Sequence, residues 1–261
     1  MKKLTHPLAA FLALACLTLP AAAEDLTIVS KTTGPDGAGT STQYLSSERM
    51  RTSDGASDTI FEYATGKMTR IDHKKKQYSE TTLAELEAAM RAASAETEKM
   101  TAQLAAMPPA MRQKMEQMMG GGGEVALTKG DTREIAGYAT QEYTVTRGES
   151  MKMQLWTTTQ ISPPVSLAQI RRMTSFAGPM AAMAGNPMFK GMGELIEKMQ
   201  EIEGFPLADS NSFSIMGRSM QTSREATEVT TGAIPAATFD VAALTEGYKK
   251  TKSPVAKKGI R

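Results

Sequence analysis

Tyr78-Ser79-Glu80-Thr81-Thr82-Leu83-Ala84-Glu85-Leu86 is the stretch that decides the fold, because the period of the apolar residues changes inside it. Upstream, from Leu26 to Tyr78, the pattern is short, threonine-rich and alternating, with turn signals at Gly34-Pro35-Asp36-Gly37, Asp54-Gly55 and Thr65-Gly66-Lys67. Alternation with a period of two puts one face of each strand on a core, so this half predicts a meander of antiparallel strands. At Thr82-x-x-Glu85 the spacing is that of a capping box, in which threonine and glutamate satisfy each other's backbone amides at the start of a helix. Leu83, Leu86, Met90, Ala93, Thr97, Met100, Leu104 and Met107 then follow at steps of three and four. This predicts one side of a helix of about 25 residues, roughly 37 Å long. Pro108-Pro109 ends it, and a second helix carrying Met111, Met115 and Met118 on one face stops at the glycine run Gly120 to Gly123.

Further along, the two periods alternate again. Tyr143 and Val145 alternate with threonines, and after a turn at Gly148-Glu149-Ser150 the residues Met151, Met153 and Leu155 alternate with Lys152, Gln154 and Trp156. Trp156 is therefore expected on the face opposite the methionines. A second helical block is expected from about Pro164 to Glu203, broken near Gly178-Pro179. Within it Asn186 caps, Pro187 opens the last helix, and Met188, Met192, Leu195, Met199 and Ile202 form a stripe. Strands are expected again over Phe213 to Met220, Glu225 to Thr230 and Pro235 to Val241. The expected fold class is α+β, a curved antiparallel sheet covered by long amphipathic helices. The expected organisation is a signal peptide over 1–23, one domain over 24–248 with helical insertions at about 82–119 and 164–203, and a basic flexible tail over 249–261.

The first residues set the compartment. Lys2 and Lys3 precede an apolar run from Leu8 to Leu19, and Ala21-Ala22-Ala23 supplies the small residues that signal peptidase needs before Glu24. The run is too short to span a bilayer, and no later stretch approaches the ~20 apolar residues of a membrane helix. The expectation is a periplasmic protein without a transmembrane span. Leu14-Ala15-Cys16 partly matches a bacterial lipobox, but its leucine sits two residues before the cysteine instead of three, which favours cleavage after Ala23 over lipidation of Cys16.

Cleavage there removes the one cysteine and His6, leaving His73 as the histidine of the mature chain. It lies between Asp72 and Lys74-Lys75-Lys76 and reads as an exposed turn residue. No nucleophile elbow, zinc spacing or calcium loop accompanies it, and Gly120 to Gly123 lacks the Lys-Ser/Thr of a phosphate loop. The residues thus point away from an enzyme and call for no cofactor. Losing Lys2 and Lys3 from 30 basic residues leaves 28 against 28 acidic, a balance that disfavours nucleic acid. The end from Lys249 to Arg261 has six basic residues and no acid.

What remains distinctive is methionine. Nineteen follow residue 23, against eleven leucines, and thirteen of them fall in 90–119 and 173–199. Methionine is unbranched and polarizable, so a methionine-lined surface repacks around apolar partners of several shapes. Thioether pairs such as Met151-x-Met153, Met111-x3-Met115 and Met180-x2-Met183 also suit Cu(I), but their mixture with Leu and Ile at helical spacing serves packing better than coordination, and no metal site is assigned.

Local patterns suggest a family. Ile71-Asp72-His73-Lys74-Lys75-Lys76-Gln77-Tyr78, Ile135-Ala136-Gly137-Tyr138, Leu155-Trp156, Glu203-Gly204-Phe205-Pro206-Leu207, Pro235-Ala236-Ala237-Thr238-Phe239 and Gly247-Tyr248-Lys249-Lys250 resemble, in that order, an uncharacterised family of exported bacterial proteins carrying a domain of unknown function. That family looks related to the periplasmic lipoprotein carriers LolA and LolB. The resemblance implies an incomplete antiparallel barrel, capped by helices around an apolar cavity. The carriers' functional residues do not map here by motif, and the chain lacks their aromatic-rich lining, with seven Phe, six Tyr and one Trp. The functional expectation is a non-enzymatic periplasmic protein holding a lipid or other apolar ligand between the sheet and a Met-rich helical lid. The expected lining is Met90, Met100, Leu104, Met107, Met188, Met192, Leu195, Met199, Met151, Met153 and Leu155. The alternative is an envelope interaction or scaffolding protein that docks on a protein partner and holds no cavity ligand.

Overall fold

A computed structural model describes residues 24–35, 37–86, 88–89, 108, 123–148, 150–165, 192–215 and 218–253. Threonine-rich alternation produces the expected meander: β1 (Leu26–Gly34), β2 (Gly37–Leu45), β3 (Arg49–Ser53), β4 (Ser57–Glu62), β5 (Lys67–Asp72) and β6 (Gln77–Thr82) follow one another as antiparallel neighbours. The second half adds β7 (Val125–Ile135), β8 (Tyr138–Arg147), β9 (Met151–Thr158), α1 (Met192–Gln200), β10 (Phe205–Ile215), β11 (Arg218–Thr231), α2 (Val241–Leu244) and β12 (Lys249–Lys250). A 3-10 turn, Ala236–Phe239, precedes α2.

These twelve strands share one open sheet, in the order β12-β6-β5-β4-β3-β2-β1-β11-β10-β9-β8-β7. The two halves meet where β1 takes β2 on one side and β11 on the other, so Leu26 faces both Leu45 and Thr231. Only the two-residue β12 runs parallel to its neighbour, β6.

Residues opposite each other across a ladder share a face. Following the register from Leu26 gives the row Leu45, Met50, Phe61, Met68 and Thr81, which crosses six strands on one face. The same face continues through β11 and β10 to Met151, Met153 and Leu155 of β9, then to Val145 of β8 and Val125 of β7. There α1 covers it: Leu195 is buried with Val125 and Val145, against Met151, Met153, Leu127 and Ile202. On the opposite face Lys31, Glu225, Ala208, Trp156 and Glu142 stand in register, with charged residues flanking buried Ala208 and half-buried Trp156. On that opposite face the 3-10 turn packs against β3, where Arg51 reaches the Thr238 carbonyl, and Tyr248 meets His73, after which β12 joins the sheet edge beside β6.

The expected cover of long amphipathic helices is overturned. The described residues form mainly the open sheet, and their helical residues are few: nine in α1, four in α2, and those at 83–86 and 88–89. The physical reason is that a stripe at steps of three and four says which side of a helix would be apolar; it does not establish that a long helix lies on the sheet. Most of the stripe residues, in 90–107, 109–122 and 166–191, lie outside the described residues. The sheet also takes more chain than alternation revealed. The long strands β10 and β11 are rich in Ser, Thr and charged residues, and their pairing rests on backbone bonds between two already ordered neighbours. The strand expected over Phe213 to Met220 is instead two strands, with Phe213 opposite Met220. Pro235 to Val241 is not a strand either: Asp240 accepts hydrogen bonds from the amides of Ala242 and Ala243 and starts α2.

Candidate apolar groove

The end of β6 builds the candidate site. Thr82 and Glu85 form the expected capping box: the Thr82 amide donates to Glu85 Oε2 at 2.8 Å, and the Glu85 amide donates to Thr82 Oγ1 at 3.2 Å. The chain turns into a helix over residues 83–86. Leu83 is anchored on the β4–β5 turn, where its amide donates to the Gly66 carbonyl at 3.0 Å. Gly66 has φ +64°, which favours glycine, and a Cβ there would stand 3.0 Å from that of Leu83, a tight contact to which Leu83 would have to yield.

Leu83 and Leu86 thereby stand over the apolar row of the sheet. Between them and the strands lies a cavity of ≈280 Å³ lined by Met50, Thr59, Phe61, Met68, Thr81, Thr82, Leu83, Leu86 and Gly66. Phe61 is buried and packs edge-on to Tyr63 with ring centroids 5.8 Å apart. Met50 and Met68 are half-buried, flexible walls of the cavity.

A polar network fixes the sheet beneath this groove from its other face. Asp58 is fully buried; its Oδ2 accepts from Arg51 Nη2 at 2.7 Å and lies 3.0 Å from His73 Nε2. His73 Nδ1 is 3.0 Å from the Tyr248 hydroxyl, and Arg51 Nη1 donates to the Thr238 carbonyl at 2.7 Å. His73 is thus not the exposed turn residue expected: it lies in the β5–β6 turn but is half-buried, bound on both ring nitrogens, and ties the C-terminal segment to the sheet. Lys250 bonds Glu80 beside it. That hydrogen bond, with help from the Lys250 and Lys67 charges, holds the Glu80 carboxyl below the usual range and raises the Lys250 ammonium.

Of the residues expected to line a ligand site, Met151, Met153 and Leu195 come together, but as packed core under α1. Leu155 is half-buried on the same face of β9, opposite Tyr143; Met199 is 40 % exposed, and Met192 opens α1. Met90, Met100, Leu104, Met107 and Met188 lie outside the described residues, as do Met111, Met115, Met180 and Met183. The groove uses Met50, Phe61 and Met68, which sequence reading passed over. Part of their signal was present, since Met50 and Met68 each stand between polar residues whereas Phe61 follows Ile60, but only the register shows that the three align. Trp156 sits opposite the methionines, as expected, and Arg133 covers its ring at 4.3 Å while pairing with Glu225 at 2.7 Å. A polar cavity of ≈600 Å³ lies around that pair.

No family model matches the chain, and no curated protein matches it in sequence. Solved structures do resemble it at low identity. An uncharacterised conserved protein from Thermus thermophilus shares 6 % identity over 88 % of this chain and 91 % of its own, with a TM-score of 0.41. MucB in the MucA/MucB complex of Pseudomonas aeruginosa shares 11 % over 85 % of this chain, with a TM-score of 0.38; the match spans 57 % of that chain. A LolA superfamily protein from Nitrosomonas europaea shares 7 % over 86 % of this chain and 93 % of its own, with a TM-score of 0.27. The LolA superfamily suggested by the sequence patterns is therefore among the structural neighbours. Likeness this distant transfers no ligand, partner or activity.

Proposed function

We propose that this chain is an exported, non-enzymatic binding protein that takes one apolar chain of a lipid-like ligand in the groove between β3–β6 and the helical turn at Leu83. The observation that carries this reading is the cavity itself: Met50, Phe61, Met68, Leu83 and Leu86 line ≈280 Å³ on a sheet otherwise rich in Thr, Ser and charge. Small-molecule clefts begin at about 300 Å³ and are lined mainly by apolar side chains, so the groove suits a single chain. About eight buried methylenes contribute roughly 6 kcal/mol before ordering costs, which corresponds to a Kd of tens of micromolar or weaker. Export is supported by the signal-peptide pattern of residues 1–23. The non-enzymatic reading is supported by His73, whose ring nitrogens are both engaged in holding the C-terminal segment. Among the described residues no helix is long and apolar enough to cross a membrane.

Displacement of a fluorescent fatty acid tests the proposal. Leu86→Glu, which puts a charge at the rim of the groove, should weaken probe binding at least about tenfold with the strand signal in circular dichroism unchanged. Unchanged affinity in that folded variant would remove the groove from consideration. A second reading, docking of an envelope protein, draws on β7: among the described residues this eleven-residue edge strand pairs with β8 alone, and it exposes seven consecutive residues, Glu134 among them. It predicts partner capture that survives Leu86→Glu and is lost when β7 is altered.

A further inference from the structure

The apolar groove has a charged neighbour. Thr82 lines it and also lines a second cavity, of ≈590 Å³, bounded by Lys67, Glu80, Glu85, Lys250, Lys252 and Ser253. Thr81 and Thr82 are successive strand residues and point to opposite faces. The two cavities adjoin at the end of β6, where they share Thr82 and where Thr81 of the first bonds Ser253 of the second through their hydroxyls. β12 pairs with β6 only at Gln77 and Tyr78, so the strand ladder stops short of this junction.

The lining charges of the second cavity are three lysines against two glutamates. Both carboxylates are already engaged: Glu80 pairs with Lys250 and Lys67, and Glu85 accepts from the amide and hydroxyl of Thr82. Lys252 is exposed and has no ion pair among the described residues. An apolar slot with room for one chain thus ends beside a pocket in which Lys67 and Lys250 are paired with Glu62 and Glu80, and Lys252 alone of the three lysines has no carboxylate partner among the described residues.

We infer that the ligand is a single-chain amphiphile with an anionic head, its chain in the groove of Met50, Phe61 and Met68 and its carboxylate or phosphate among Lys67, Lys250 and Lys252. The inference rests on the apolar-ligand reading above and adds the charge and position of the head. An uncharged or cationic head gains nothing at Lys252, whereas an anion there forms a charge-assisted contact that salt screens.

Four probes with one tail separate the terms: decanoate, decyl phosphate, decanol and decyltrimethylammonium, titrated below micelle formation against the full mature chain by calorimetry. The anionic probes should bind about tenfold tighter than decanol, and decyltrimethylammonium more weakly than decanol. Lys252→Glu should remove the anionic advantage and leave decanol unchanged, and raised salt should do the same in the unaltered chain. A preference for decanoate assigns a fatty acid as the source, and a preference for decyl phosphate a phosphate-headed lipid. Equal affinity for decanol and the two anions, or an anionic advantage intact in Lys252→Glu, overturns the head-group site while leaving the groove standing. Failure of all four probes to bind overturns the groove as well.

Discussion

Tyr63 shows how much one unpaired atom weighs in this sheet. The residue is 2 % exposed, and its hydroxyl has no hydrogen-bond partner among the described residues. Burial pushes its phenol up to about 12 from the usual value of 10.0, because the phenolate would lose its water without gaining a partner. Below pH ~10 the folded and unfolded chains both keep the proton, so pH has no leverage. Above it the unfolded chain ionises first, and stability falls between pH ~10 and ~12 by up to roughly 2.7 kcal/mol. Tyr63→Phe should abolish that loss and, at neutral pH, relieve an unsatisfied buried hydroxyl costing about 1–3 kcal/mol. Urea midpoints of both proteins at about pH 7 and about pH 11 measure this; a phenylalanine variant weaker at neutral pH contradicts it. Nothing in the sequence marks Tyr63 as unpaired. Nor does it mark Arg51, Asp58, His73 and Tyr248 as one network, since their contact spans 187 residues from Arg51 to the Thr238 carbonyl and 175 from His73 to Tyr248.

At the scale of elements, legibility follows the range of the interaction. The capping box at Thr82 and Glu85 is local, and both its hydrogen bonds form. Turns at Asp54-Gly55 and Thr65-Gly66 fall between β3 and β4 and between β4 and β5, where Gly55 and Gly66 take the positive φ that glycine tolerates. The hairpin between β10 and β11 escaped detection because Phe213 and Met220 read as one alternating run, whereas they are cross-strand partners. The capping box has a further consequence, since it sets where Leu83 and Leu86 stand. Glu85→Ala removes the acceptor of the Thr82 amide and should destabilise the protein by about 1 kcal/mol. It should also weaken fatty-acid binding, because the groove loses its fixed wall. Thr82→Ser keeps the hydroxyl acceptor and should leave both properties near their starting values. Thermal unfolding and probe titration on the two variants decide the point; equal binding by both would separate the cap from the groove.

For the whole molecule, the decisive fact is that residues 236–253, far away in sequence, are attached to the sheet's β3–β6 half. The Arg51 bond to the Thr238 carbonyl, the His73 contact with Tyr248, the hydroxyl pair of Thr81 and Ser253 at 2.6 Å, and the Lys250 ion pair with Glu80 hold that segment down. Backbone bonds from the Lys249 amide to the Lys76 carbonyl and from the Thr251 amide to the Tyr78 carbonyl complete the attachment. Because the Lys250 hydrogen bond depresses the Glu80 carboxyl, its contribution is present above the ordinary glutamate pKa and is lost as pH falls through the lowered folded value. Glu80 is partly exposed and Lys250 more so, so the contribution is the modest one of a surface pair. Hydrogen exchange reads it directly. After correction for intrinsic rates, the Lys249 and Thr251 amides should lose up to about fivefold protection on acidification, while the amides between β1 and β11 keep theirs. Glu80→Gln should show the same loosening already at neutral pH and little further change in acid. Full protection of Lys249 and Thr251 in that variant would mean that the network around His73 and the backbone bonds hold the segment without the ion pair.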